Sequence, residues 1–156
     1  MCRYIGTIGM SSGLKISLRA ARILKDRSED RIRLLAVGDG VIREELESQA
    51  RQEGLDAIIF DGRRPKKGMP MFLAASDLSF VHLRKTPLFE TVMPSKIFEA
   101  FGMRCPVLIR VEGETKKLLE ASRGGWAIPP EDDQAMVSAL LKSLDNHNDC
   151  EMKGER

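Results

Sequence analysis

Residues 32–62, IRLLAVGDGVIREELESQARQEGLDAIIFDG, contain the succession of segments that decides the fold. Residues 32–38 are a largely apolar run that leads into a Gly-Asp-Gly turn, which is typical of a strand buried on both faces of a parallel sheet. Residues 41–53 predict a charged helix, and residues 57–62 predict a second apolar strand. A strand, a helix and a strand in succession indicate two parallel strands with the helix packed on the sheet.

The same alternation extends in both directions along the chain. Further strands are predicted at 2–6, 77–83, 105–111 and 126–130, and further helices at 14–25, 70–75, 94–103, 114–123 and from the Asp132-Asp133 pair to about Leu144. The pattern predicts an α/β fold, a Rossmann-like open parallel six-stranded sheet with helices on both faces. Ligands of such sheets bind outside the carboxyl ends of the strands, near the point where the strand order reverses. The candidate ligand-binding loops are therefore 6–13, 38–40, 62–68, 83–95 and 112–114.

Length and composition limit the class of protein. The 156 residues, 42% hydrophobic and 31% charged, fit one globular domain, predicted at 1–146, with a polar, disordered tail at 147–156. The formal net charge of +2 argues against nucleic acid as a partner. The three cysteines and two histidines have no metal-binding spacing, so no metal is expected. The sequence has no signal-peptide pattern and no apolar run long enough to span a membrane, so we expect a cytoplasmic protein. Peripheral contact with the inner face of the membrane remains an alternative.

Four segments together carry a resemblance to a known family. They are GTIGMSSGL (6–14), AVGDG (36–40), IIFDG (58–62) and LFETVMPSKIFEAFGMRCPVL (88–108). In this order they resemble the family 4 (group 1) glycosyltransferases, most of all bacterial enzymes that transfer amino sugars from UDP donors in surface polysaccharide synthesis. The resemblance covers residues 3–144 and matches only the C-terminal, nucleotide-sugar-binding domain, which is one half of a GT-B fold. It implies that the domain supplying most acceptor contacts lies outside this chain.

The segment Met93-Pro94-Ser95-Lys96 begins one of the predicted helices, with Pro94 in the first turn, where proline is tolerated. A helix start offers unpaired N–H groups and the positive end of the helix dipole, both suited to a diphosphate. Ser95 adds a hydroxyl and Lys96 a positive charge. The resemblance implies that this helix start holds the diphosphate of the donor. From the residues alone, an ordinary helix start remains open.

Glu99 lies four residues after Ser95 and therefore on the same helix face. The resemblance implies that its carboxylate accepts hydrogen bonds from the ribose hydroxyls. The alternative is a surface glutamate that supports the first turn. The family also places a donor-sugar glutamate eight positions earlier, where this chain has Thr91 with Glu90 beside it. Both are candidate contacts of the donor sugar, and no residue is assigned a firm catalytic role.

The first glycine loop departs from the family pattern. Many family members carry an arginine and a lysine there, whereas this loop has no basic residue before Lys15. Gly6 and Gly9 still allow close approach of the backbone to a ligand. Arg84 or Lys85, just after the fourth strand, is a candidate for the compensating charge, and a solvated loop is the alternative for both residues.

The densest basic cluster, Arg63, Arg64, Lys66 and Lys67, follows the third strand. The resemblance implies that backbone groups near Arg63 and Arg64 contact the uracil base. The two lysines are candidates for contact with a lipid-diphosphate acceptor or an anionic membrane. A solvated loop that keeps this end of the sheet soluble is the alternative.

Two helix ends carry further expectations. Arg104 stands where the family commonly has glycine, and a left-handed conformation there would cost arginine about 1 kcal/mol unless Gly102 caps the helix instead. Gly124 and Gly125 are predicted to form a left-handed cap after helix 114–123.

Taken whole, the resemblance implies the donor-binding half of a retaining glycosyltransferase. The donor would be a nucleotide diphosphate-sugar, and similarity to the bacterial subgroup suggests that it is UDP-linked. The acceptor would be lipid-linked or a saccharide. No cofactor or metal would be needed. Expected protein partners are a separate acceptor-binding domain or a second copy in a homodimer. The alternative is a non-catalytic nucleotide-binding or interaction module, favoured by the first loop. An NAD-dependent enzyme is disfavoured because the dinucleotide fingerprint and its acidic residue are missing.

Overall fold

The computed structural model describes residues 1–10, 14–82, 95–110, 114–122, 124–129 and 132–145. The strands are β1 (Cys2–Ile5), β2 (Leu34–Val37), β3 (Ile58–Phe60), β4 (Leu78–His82), β5 (Val107–Arg110) and β6 (Gly125–Ala127). The helices are α1 (Lys15–Asp26), α2 (Arg43–Gln52), α3 (Met69–Ala74), α4 (Ser95–Gly102), α5 (Glu114–Ser122) and α6 (Asp133–Asp145), with a 3₁₀ turn at Lys66–Gly68 before α3. All predicted strands and helices are present, with ends that differ by a few residues.

The sheet is parallel throughout, with the strand order β3-β2-β1-β4-β5-β6. Cys2 of β1 pairs with Leu34 of β2 on one side and with Leu78 of β4 on the other. The chain builds outward from β1 to β3 and then returns to add β4 beside β1, so the order reverses between β1 and β4. In a sheet of this kind the reversal opens a crevice at the carboxyl ends of those two strands, where ligands bind.

Each face of the sheet is covered by helices, as the sequence predicts. Side chains alternate between faces along a strand. Phe80 and Leu108 therefore pack into a core that includes α1, α2 and α6. Their neighbours Val81 and Ile109 pack into a second core that includes α3, α4 and α5. Burying a side chain of this size contributes about 1.5–3 kcal/mol, so both faces must be covered for the sheet to be stable.

Helix α4 ends in a Schellman motif built on an arginine. The N–H of Cys105 donates to the carbonyl of Ala100 at 2.9 Å, and the N–H of Arg104 donates to the carbonyl of Phe101 at 3.0 Å. Arg104 adopts the left-handed conformation with a φ of 54°. Gly102, whose φ is not positive, does not take over the cap. The expected strain at Arg104 is therefore present.

The expectation that Gly124 and Gly125 form a left-handed cap is wrong, because neither has a positive φ. Gly125 begins β6, and a Cβ atom there would lie 1.9 Å from the carbonyl oxygen of Val107 on β5. A Cβ atom at Gly124 would lie 2.6 Å from the ring of Phe101. Both positions need glycine because neighbouring groups approach too closely for a side chain.

Cys2 and Cys105 lie buried, and neither of these two described cysteines is in a disulfide. Burial raises the pKa of the Cys2 thiol to about 12, so this group stays protonated at neutral pH. Both cysteines behave as small apolar core residues. Among the helices described above, none is long and apolar enough to cross a membrane.

Candidate functional site

An open cleft of about 940 Å³ lies beyond the carboxyl ends of β1 and β2, beside the point where the strand order reverses. Its lining comes from the segments that follow β1, β2 and β3 and from α3 and α4. The cleft is therefore where a parallel sheet places a ligand. Six of the predicted site residues line it, namely Gly6, Arg63, Arg64, Ser95, Lys96 and Glu99.

Backbone hydrogen bonds between glycine-containing loops build the floor of the cleft. The N–H groups of Gly6 and Ile8 donate to carbonyls at the end of β2 and in the loop that follows it, each at 2.9 Å. The N–H of Gly38 donates to the carbonyl of Gly62 at 2.7 Å. Gly38 has a φ of 147°, and a Cβ atom there would lie 1.9 Å from the carbonyl oxygen of Gly6. The floor is thus ordered by contacts that only glycine permits.

Lys96, in the first turn of α4, reaches across to β1. Its Nζ atom donates to the Oη of Tyr4 at 2.8 Å and lies 3.9 Å from the centroid of the Tyr4 ring. Burial lowers the pKa of Lys96 to about 8, while the nearby carboxylate of Glu99 acts in the opposite direction. A Cβ atom at Gly6 would lie 2.6 Å from the Cε of Lys96, so glycine leaves the space that this side chain occupies. The result is a largely desolvated cation at the cleft.

Ser95 and Glu99 share one exposed face at the start of α4, as their spacing predicts. The hydroxyl of Ser95 donates to the Oε1 of Glu99 at 3.2 Å. A carboxylate accepts several hydrogen bonds at once. Glu99 can therefore receive hydroxyl groups of a ligand in the cleft in addition to that of Ser95.

The two arginines after β3 have different surroundings. Arg64 donates to Asp61 through Nε at 3.0 Å and through Nη2 at 2.5 Å. The hydrogen bond from Arg64 lowers the pKa of Asp61, and the charges of Arg3 and Arg43 lower it further. Arg63 is exposed and makes no hydrogen bond or ion pair within the part of the chain that the structure describes. Arg64 therefore stiffens the loop, whereas Arg63 is free to meet an anionic ligand.

Apolar side chains of α3, of α4 and of the residue that follows α4 also line the cleft. Phe98 is the most prominent of them, with 52% of its surface exposed. A lining that combines apolar side chains with a few polar groups suits a ligand with both a ring and an anionic part. These apolar lining residues are Met69, Pro70, Leu73, Phe98 and Met103.

Some predicted site residues are not placed in the cleft. Gly9 is described but is not among the residues that line it. Within the described ranges, no group of three or more His, Cys, Asp and Glu side chains could hold a metal ion. The predicted residues outside the described ranges, whose roles stay predictions, are Arg84, Glu90, Thr91, Met93 and Pro94.

Sequence reasoning missed two residues that hold the site cations in place. Asp61 stands three positions before Arg64, directly after a strand, and this short spacing could have indicated the ion pair. Tyr4 is separated from Lys96 by 92 positions. No local pattern in the sequence could have indicated that contact, because it depends on how α4 packs against β1.

Fold and cleft together define a Rossmann-like α/β domain with a cleft of mixed charge where its strand order reverses. The model of the family described as glycosyl transferases group 1 matches residues 2–146. The chain therefore belongs to the group 1 glycosyl transferases, which confirms the resemblance in its sequence.

Similar proteins are consistent with this family. The alpha-D-kanosaminyltransferase of Streptomyces kanamyceticus is 26% identical over 144 residues, which are 92% of this chain and 36% of that protein. The C-terminal domain of the group 1 family glycosyl transferase LpcC from Francisella tularensis has a TM-score of 0.78 at 20% identity, over 99% of this chain and 80% of that one. HepE from Anabaena in complex with UDP-glucose has a TM-score of 0.80 at 19% identity, over 98% of this chain and 41% of that one.

These similarities confirm the fold as the C-terminal half of a GT-B glycosyltransferase. The curated relatives are much longer than this chain, which spans 32–39% of the length of those it matches.

Proposed function

We propose that this chain is the donor-binding half of a retaining glycosyltransferase, which transfers a sugar from a UDP-linked donor to a lipid-linked or saccharide acceptor. The observation that carries the proposal is the grouping of Arg63, Ser95, Lys96 and Glu99 around one cleft at the carboxyl edge of the sheet. Membership of the family supports the reaction class. The similarity to HepE, a protein solved with UDP-glucose, supports the choice of nucleotide.

Each part of the nucleotide has a matching group in the cleft. The diphosphate lies at the start of α4 beside the ammonium of Lys96, whose charge acts strongly on an anion because little water screens it. The ribose hydroxyls donate to Glu99, and the uracil ring lies near Arg63 and Arg64. In the reaction, the positive charge of Lys96 and the dipole of α4 stabilise the negative charge that develops on the departing UDP.

An acceptor-binding domain completes the enzyme in this proposal. Transfer requires that two substrates be held in line, and this chain supplies one wall of the site. The acceptor wall comes from the remaining length found in the relatives or from a separate chain. A cytoplasmic location, with contact at the inner face of the membrane, fits both a UDP-linked donor and a lipid-linked acceptor.

A second candidate is a non-catalytic nucleotide-binding or interaction module. It is favoured by the first loop, where no basic residue precedes Lys15 and the N–H groups of Gly6 and Ile8 are used inside the protein. Turnover separates the two candidates. Release of UDP from a UDP-sugar by the chain together with an acceptor-binding domain supports the transferase, whereas tight binding without release supports the module.

The first experiment is a calorimetric titration of the purified chain with UDP, GDP and ADP. We expect saturable binding of UDP and weaker binding of the other two. Glu99→Ala should weaken UDP binding by about tenfold or more, since a hydrogen bond to a charged group contributes about 1.5–3 kcal/mol. Glu120→Ala is the matched control, because Glu120 is an exposed glutamate on α5 that does not line the cleft. A folded chain that binds none of the nucleotides, or equal losses in both variants, would contradict the proposal.

A further inference from the structure

Tyr4 contacts both the ammonium of Lys96 and the first glycine loop. It is the single tyrosine of the chain and is only 4% exposed, although it lies at the carboxyl end of β1. Its Oη atom lies 2.7 Å from the carbonyl oxygen of Thr7 and 2.8 Å from the Nζ of Lys96. Thr7 and Lys96 both line the cleft.

The chemistry of a phenol fixes the direction of both hydrogen bonds. A tyrosine hydroxyl has one hydrogen, and a carbonyl oxygen can only accept, so Tyr4 must donate to Thr7. An ammonium can only donate, so Tyr4 accepts from Lys96. The ring also lies beneath the ammonium, at a distance typical of a cation–π contact. Lys96 is thereby held at two points, and within the described part of the chain its ammonium donates to no other group.

The surroundings of Lys96 leave its charge available to a ligand. In the described ranges its ammonium forms no ion pair with a carboxylate, although Glu99 is close enough to act on it electrostatically. Gly6 has a φ of 142°, and a side chain there would displace Lys96 because its Cβ atom would lie 2.7 Å from Nζ. The space above Gly6 is thus occupied by a cation that Tyr4 holds.

We propose that Tyr4 is a positioning residue, which fixes the ammonium of Lys96 above the first loop so that the diphosphate of the donor meets a preset positive charge. This inference rests on the proposed function. A lysine side chain otherwise has many rotamers, and restricting them before binding lowers the entropic cost when the ligand arrives. The arrangement also gives this loop, which has no basic residue before Lys15, a cation supplied from α4.

The test compares UDP with uridine, which lacks the diphosphate, in calorimetric titrations of four proteins. These are the wild type, Tyr4→Phe, Lys96→Met and the double variant. Tyr4→Phe keeps the buried ring and loses both hydrogen bonds. We expect it to bind UDP about three- to tenfold more weakly than the wild type and to bind uridine equally well. Lys96→Met should weaken UDP binding by more than tenfold, and the double variant should match Lys96→Met.

Lys117→Met is the control for the loss of one lysine, because Lys117 lies exposed on α5 and pairs with Glu114. It should bind UDP as the wild type does. The inference is overturned if Tyr4→Phe binds UDP as tightly as the wild type does, or if it weakens the binding of uridine and UDP equally. It is also overturned if Tyr4→Phe weakens UDP binding further in the Lys96→Met background. A wild type that binds no UDP refutes the proposed function itself, and with it this role for Tyr4. Wild-type binding with an unaffected Tyr4→Phe refutes the role of Tyr4 alone.

Discussion

Replacing Lys96 by methionine should stabilise the folded protein at pH 7 while it removes the cation from the cleft. Burial lowers the pKa of Lys96 from the usual 10.5 to about 8, so the folded state holds the charged form at a cost. At 1.36 kcal/mol per pKa unit, that fall corresponds to about 3 kcal/mol. Loss of the cation–π contact with the Tyr4 ring and of the hydrogen bond to the Tyr4 hydroxyl together offsets about 2 kcal/mol of this cost. The expected net gain is about 1 kcal/mol in the free energy of unfolding.

The dependence of this gain on pH follows from the two pKa values. Between pH 8 and pH 10.5 the unfolded chain keeps the proton of Lys96 while the folded protein has released it, so the stability of the wild type rises with pH. Below pH 8 Lys96 is charged in both states, so the free-energy cost of burying its charge is present in full. The advantage of Lys96→Met should therefore be constant below about pH 8 and should shrink towards pH 10.5. Other titrating groups affect both proteins alike and cancel in the difference.

Urea denaturation at pH 7 and pH 10 measures both quantities, with the fluorescence of Trp126 as the probe because it is the single tryptophan of the chain. In thermal melts, about 1 kcal/mol corresponds to a rise in Tm of about 2–4 °C for a chain of this length. A variant less stable than the wild type at pH 7 would refute the reasoning. A difference that stays the same at pH 10 would also refute it, because the gain would then come from packing and not from charge.

Two further predictions concern the backbone. Arg104→Gly should raise the free energy of unfolding by about 0.5–1 kcal/mol in the same urea assay, since glycine adopts the left-handed φ of 54° without strain. A loss of stability would show that the arginine side chain contributes more than the strain costs. Gly125→Ala should destabilise by more than about 2 kcal/mol, because its Cβ atom would lie 1.9 Å from the carbonyl oxygen of Val107. The matched control is Gly102→Ala, because a Cβ atom there would meet nothing within 4 Å. This substitution should stabilise α4 by about 0.5–1 kcal/mol. Similar losses of stability in the two alanine variants would contradict the packing argument.

The parts of the fold that the sequence predicts are those encoded by local periodicity. Leu18, Ala21 and Leu24 recur at helical spacing, and all three are buried on α1. The apolar runs at 34–37 and 107–109 lie in strands because a parallel sheet covered on both faces needs apolar side chains in both directions. The relation of Ser95 to Glu99 is equally local, since one helical turn joins them.

The parts that the sequence could not predict depend on contacts between distant segments. Glycine serves left-handed turns and close approaches alike, and only the position of Val107 shows that Gly125 serves the second purpose. Likewise, only the packing of α4 beside β1 brings Lys96 to Tyr4. In both cases the deciding partner lies far away in the chain, where neither spacing nor composition identifies it.

The most direct test of the central claim is a titration of the ¹⁵N-labelled chain with UDP, followed by NMR through its backbone amide resonances. If the cleft holds the donor nucleotide, the amides of Gly6, Thr7 and residues 95–99 should shift progressively and saturate. Those of α6, on the opposite face of the sheet from α4, should stay in place. Saturating shifts confined to another surface, or no shifts at millimolar UDP, would contradict the account.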